Sequence, residues 1–135
     1  MRMTADTNLL VRIVVRDDAA QARKAYGLVS AAERVAIPLP SLCEVAWVLE
    51  SVYGFSASEI SLAIRAITEP GNSVVDTTAV EAGLRLLDGG GDFADGVIAA
   101  AGSAMGGEIF VSFDRKAVAR INAIGMSARN ARDLK

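Results

Sequence analysis

Gly106-Gly-Glu-Ile-Phe-Val-Ser-Phe-Asp114 is the stretch that decides the fold. Its two glycines end an alanine-rich helical pattern running from Phe93 to Met105. An apolar, aromatic and β-branched run follows, and an aspartate stops it. Such a run, bounded by glycine and aspartate, reads as a strand over Glu108–Phe113. After Asp114 the spacing turns helical again. Helix, strand and helix in direct succession are the building unit of α/β proteins, whose strands run parallel under covering helices.

The same succession repeats upstream. A short strand near Met3–Ala5 ends on Asp6, and helical patterns cover Asn8–Val15 and Asp18–Ala32. Arg34–Pro38 alternates as a strand does, and Pro40-Ser41 opens a helix to about Tyr53, stopped by Gly54. Ser56-Ala-Ser-Glu59 has capping-box spacing for a helix that Pro70-Gly71 ends. Ser73–Val75 reads as a short strand, and Thr78-Ala-Val-Glu81 as the cap of a helix to Leu87. A weak strand near Met126 closes the order. With no linker, repeat or low-complexity tract, residues 1–135 read as one domain: an α/β/α sandwich in three layers around a central, mainly parallel sheet. Function in such sheets gathers at the carboxyl ends of the strands. Two strands end there on an aspartate, Asp6 and Asp114.

Composition narrows the chemistry. There is no histidine, which removes histidine general bases, the Ser-His-Asp and Cys-His arrangements, and imidazole zinc sites. The single cysteine, Cys43, excludes a thiolate zinc site and any intrachain disulfide, and its apolar neighbours suggest a buried thiol. An enzyme with this composition must work with carboxylates, together with a hard cation such as Mg²⁺ or Mn²⁺. No run nears the roughly 20 apolar residues of a membrane span, and the opening residues carry no signal core, so the expected location is cytoplasmic. The net charge is only −2, yet six basic residues follow Asp114 against one acid, Asp133. That basic stretch suits a phosphate backbone or, equally, a solvated surface.

Four of the sixteen acids stand in unusual company. Asp6 and Asp114 end apolar strands. Glu44 sits within Leu42-Cys-Glu-Val-Ala-Trp-Val-Leu49, and Asp95 one turn into the alanine-rich helix. Carboxylates against apolar surroundings are costly unless neutralised, and a divalent cation does so efficiently. Each also has an ordinary explanation. Glu44 follows Ser41 by three residues, as in a capping box. Asp95 follows Asp92 by three, where the helix dipole favours an acid. Asp6 and Asp114 suit turns. Taken together the four fall on one sheet edge, which the ordinary explanations do not require.

Here the chain resembles the PIN-domain ribonucleases. Asp6-Thr-Asn-Leu-Leu-Val11 is similar to their opening motif, and Ser41-Leu-Cys-Glu44 to their second acidic position. Asp92-Phe-Ala-Asp-Gly-Val-Ile-Ala-Ala100 resembles the third, with Gly96 replacing a usual alanine. Ser112-Phe-Asp114 resembles the fourth, with serine where threonine is common. The segment Val14–Ala22 looks like the VapC toxins of toxin–antitoxin pairs. The resemblance implies RNA phosphodiester hydrolysis with Mg²⁺ or Mn²⁺ held by Asp6, Asp95 and Asp114, directly or through water. Glu44 would complete the pocket, with Asn8 and Ser112 orienting its members and Asp92 a further carboxylate. It also implies a VapB-like antitoxin and a homodimer. Two helices, Ser41–Tyr53 and Ser56–Glu69, with Phe55 between them, carry a surplus of apolar residues (Val45, Val48, Leu49, Val52, Ile60 and Ile64) suited to a dimer face, or to a groove for an antitoxin helix.

Three other readings stay open at this stage. An aspartate-based phosphatase would want an acid two residues beyond Asp6, where Asn8 stands. A catalytically weak PIN-like chain would serve only to bind or regulate. Gly89-Gly-Gly91 suggests a phosphate cradle, but no Gly-Lys-Ser/Thr follows it, so a plain flexible loop is expected. Trp47 and Leu49 read as core or dimer-face residues.

Overall fold

The computed structural model describes residues 1–135 throughout. The elements follow in the order β1 (Arg2–Thr4), α1 (Thr7–Val15), α2 (Ala19–Ala31), β2 (Arg34–Ala36), α3 (Leu39–Ser51), α4 (Ala57–Thr68), β3 (Ser73–Val74), α5 (Thr77–Asp88), α6 (Phe93–Ala104), β4 (Phe110–Ser112), α7 (Arg115–Ala123) and β5 (Ala128–Asn130). The chain divides into two compact units, Met1–Asp76 and Thr77–Lys135. No helix is long and apolar enough to cross a membrane.

In the first unit β1, β2 and β3 form a parallel sheet in that order, with Arg2 opposite Arg34 and Val35 opposite Ser73. The alternation read in Arg34–Pro38 is real: Val35 and Ile37 are buried while Arg34 and Pro38 are exposed. Leu10, Leu42, Val45, Leu49, Ile60 and Ile64 complete the core from α1, α3 and α4. Much of the expected apolar surplus is therefore hidden inside this unit. Val52, at 63% exposed, and Trp47, at 66%, are what the α3 region leaves outside, and Trp47 is not a core residue. Cys43 is half-buried.

The helix ends follow local chemistry. Asp18 caps α2 by accepting from the Gln21 amide, and Ser56 and Glu59 form the complete capping box of α4. Glu59's carboxyl is held below its ordinary value by the Ser56 N–H and hydroxyl. Two expected caps are displaced. Helix α3 begins at Leu39 behind Pro38, with a proline in its first turn, so Ser41 and Glu44 lie inside the helix and form no box. Helix α5 begins at Thr77, which leaves Thr78 within its first turn.

In the second unit β4 pairs parallel with β5, Phe110 opposite Ala128. The last strand lies two residues beyond its expected place. Asn122 pins it there, donating to the Ala128 carbonyl and accepting from the Ala128 amide. Leu86, Ala99, Ile121 and Ala128 form the core, with Phe93 fully buried beside Gly83. The glycine run after α5 is a helix stop. The Gly91 amide bonds the Leu86 carbonyl and the Gly90 amide the Leu87 carbonyl, with Gly90 at φ +91°. That paired bonding is the Schellman turn, which calls for a residue tolerant of positive φ.

Candidate active site

The first unit contributes two of the four acids. β1 runs through Ala5 into Asp6, which caps α1 by accepting the Leu9 amide on Oδ1 at 2.9 Å. That bond is the turn-former's role expected of an aspartate at a strand end, and it leaves Oδ2 without a protein partner. Because β1 and β2 are parallel, the chain leaves β2 at the same sheet edge and enters α3, which carries Glu44. Thr7 Oγ1 donates to Glu44 Oε2 at 3.2 Å, tying the start of α1 to α3. Thr7 thus orients Glu44. Both carboxylates and Asn8 are exposed to solvent. Asn8 lines a cleft together with Asp6 and makes no contact that would orient Glu44.

The second unit holds the other two acids. Asp92 caps α6 through the Ala94 amide, and Asp95 lies in the first turn. Asp114, just past β4, caps α7 by accepting from the Lys116 and Ala117 amides, both on Oδ1. Ser112 Oγ accepts the Asp114 amide at 3.0 Å, fixing the backbone turn that aims the carboxylate. Partial burial raises the pKa of Asp95 above the ordinary value, and the negative charges of Asp92 and Asp114 add to the rise. Asp92, which the sequence singled out only as a spare carboxylate, therefore belongs to this charge cluster.

What these groups can hold follows from their chemistry. Within neither unit do three or more carboxylate or thiolate groups stand as a complete metal cage. In each unit the donors are all oxygen, and Asp6 in the first and Asp114 in the second each keep one oxygen clear of protein hydrogen bonds. Asp95 experiences the like-charge repulsion that a cation relieves. Such donors fit a hard divalent ion such as Mg²⁺ and would not select a soft one.

The basic residues after Asp114 lie mostly in solvent, and none is ion-paired to an acid. The largest apolar groove, about 790 Å³, is in the first unit. It is framed by α1, α2 and α4, through residues such as Ile13, Tyr26 and Leu62, and not by α3 and α4 as the helix spacing suggested.

No curated protein matches the chain. A family model does, that of the PIN domain, over residues 3–123, a span that takes in Asp6, Glu44, Asp95 and Asp114. The seven helices and wholly parallel strand pairing accord with the three-layer α/β/α fold of that family. The chain belongs to the PIN-domain family, whose fold is a nuclease fold.

Proposed function

We propose that the chain is a divalent-metal-dependent endoribonuclease, the toxin of a VapC-type toxin–antitoxin pair, working as a single PIN domain. The observation that carries this reading is the matched placement of Asp6 and Asp114. Each follows a parallel strand and caps the next helix with one oxygen while the other stays available. Asp6, Asp95 and Asp114 would hold Mg²⁺ or Mn²⁺, with Glu44 and Asp92 as further carboxylates. Bound there, the cation would acidify a coordinated water and stabilise charge developing on the phosphate.

The chain's own residues supply the rest. The helix amides at Leu9, Lys116 and Ala117 hold one oxygen of each capping aspartate, so both carboxylates present a fixed edge. Thr7 holds Glu44, and Ser112 holds the turn at Asp114. Asp95, with its raised pKa, carries a proton more readily than an ordinary aspartate before the cation arrives. Control from outside fits the apolar groove, which would take an amphipathic antitoxin helix, with an arginine from that partner pairing with the acids. Trp47 and Val52 offer the apolar face for a homodimer.

The test is incubation of purified protein with total cellular RNA in Mg²⁺, in Mn²⁺ and in EDTA. Cleavage should need the divalent ion and be largely lost in Asp6→Asn, a near-isosteric change. Equal cleavage by wild type and variant, or cleavage undiminished in EDTA, refutes the mechanism. Expression of the wild-type chain alone with no more harm to growth than Asp6→Asn refutes the toxin role separately.

A further inference from the structure

We propose that the cleft between α1 and α2, beside Asp6, binds the phosphate–ribose backbone of a single-stranded RNA segment, with Lys24 as its principal cation. The inference rests on the ribonuclease reading and adds to it where the substrate is held.

A site built of carboxylates repels a polyanionic substrate, so a cation must stand close by for the strand to approach. The cleft supplies one. It encloses about 330 Å³, and Asp6, Asn8, Arg12, Gln21 and Lys24 line it over an apolar floor that includes Leu28. Helical spacing explains the grouping. Asn8 and Arg12 are four apart on α1, while Gln21 and Lys24 are three apart on α2, so each pair shares a face.

The two cations differ in availability. Arg12 donates from Nη1 to Asp17 at 2.9 Å, and its Nε is buried with no hydrogen-bond partner. Asp17 thus shares the Arg12 charge within the protein. Lys24 is exposed and makes no ion pair, so its ammonium is free for a phosphate. Asn8 and Gln21 bring amides that both donate and accept, the pattern that suits a ribose 2′-hydroxyl. Lys24 and Leu28 also line a second hollow of about 440 Å³, where Arg23 joins them. Arg23 thus adds a second cation next to the cleft that holds Asp6.

The experiment is fluorescence anisotropy of a labelled single-stranded RNA oligomer titrated with the full chain in EDTA, where cleavage is silent, at several salt concentrations. Lys24→Gln should weaken binding roughly 3- to 10-fold and lower the slope of log affinity against log salt by about 0.7, one phosphate contact on a single strand. Lys24→Arg should restore both. Arg34→Gln, on β2 and outside the cleft, should change binding less than about twofold. In cleavage assays with a divalent ion, Lys24→Gln should raise KM.

Wild-type affinity and salt slope in Lys24→Gln, from a chain whose wild type cleaves RNA, overturn this inference and leave the nuclease reading standing. A wild type that neither binds nor cleaves RNA overturns both. Wild-type binding to an acidic peptide more tightly than to RNA, lost in Lys24→Gln, gives the cleft to a protein partner and also overturns it.

Discussion

Gly96→Ala should destabilise the protein, although alanine is the better helix former and the residue commonly found at this place in related motifs. Helices α5 and α6 approach each other closely here. A Cβ at Gly96 would stand 2.5 Å from the Ala82 carbonyl oxygen and 2.7 Å from Gly83 Cα, where ordinary contact begins near 3.4 Å. The obstructing atoms are backbone, so no rotamer change relieves them and the helices must part. Forced overpacking costs about 1–3 kcal/mol, and a rigid backbone contact belongs at the upper end. The alanine's helix preference returns about 1 kcal/mol. The expected net loss is about 2 kcal/mol. Gly102, in the same helix, is the control. A Cβ there meets nothing within 4 Å, and its φ lies outside the positive range. Gly102→Ala should therefore stabilise by about 0.5–1 kcal/mol. Urea unfolding followed by circular dichroism measures both changes. Opposite signs are expected, and a Gly96→Ala chain as stable as wild type, or more so, would refute the close-approach argument.

Asp95→Asn should leave the metal-free protein as stable as wild type or more so, because it removes a carboxyl that burial and two neighbouring charges disfavour in ionised form. A raised folded pKa means the wild type loses stability as pH climbs from the ordinary carboxylate value through the raised one, and Asp95→Asn should lack that loss. Melts from pH 3 to 7 in EDTA check this, and a steep drop in Tm for the variant would make Asp95 structural. Ser56→Ala should cost about 1 kcal/mol at pH 7 by removing the α4 cap. Glu59's depressed pKa makes its stabilising contribution present above the unfolded value and lost as pH falls through the folded one. Ser56→Ala keeps the backbone N–H that contributes most to Glu59's shift, so it should retain most of this pH dependence, whereas Glu59→Gln should lose it, and a Glu59→Gln chain with wild-type pH dependence would refute the assignment.

Much of this molecule is legible in its residue order. The α/β succession follows from the period of the apolar residues and from the stops at Gly54, Pro70-Gly71 and Gly106-Gly107. Those signals are local, since backbone propensity and turn chemistry act over a few residues. For the same reason Asp6 and Asp114 could be placed after strands, and Ser56 and Glu59 read as a capping box. The lack of histidine restricts any chemistry to carboxylates before a single contact is known.

The rest depended on groups far apart in the chain. Glu44 takes its hydrogen bond from Thr7, 37 residues away, and so is no partner of nearby Ser41. Trp47 faces solvent while Leu49 is buried, a choice made by which side of α3 meets its neighbours. Gly96 is needed because of Ala82 and Gly83, which no reading of α6 alone would reveal. Burial and the charge of Asp114, 19 residues on, add to that of nearby Asp92 in raising the pKa of Asp95, and the juxtaposition of α1 with α2 puts Lys24 in the cleft with Asp6. Propensity acts along the chain, whereas exclusion, burial and charge act through space, and only the packed structure determines which residues share that space.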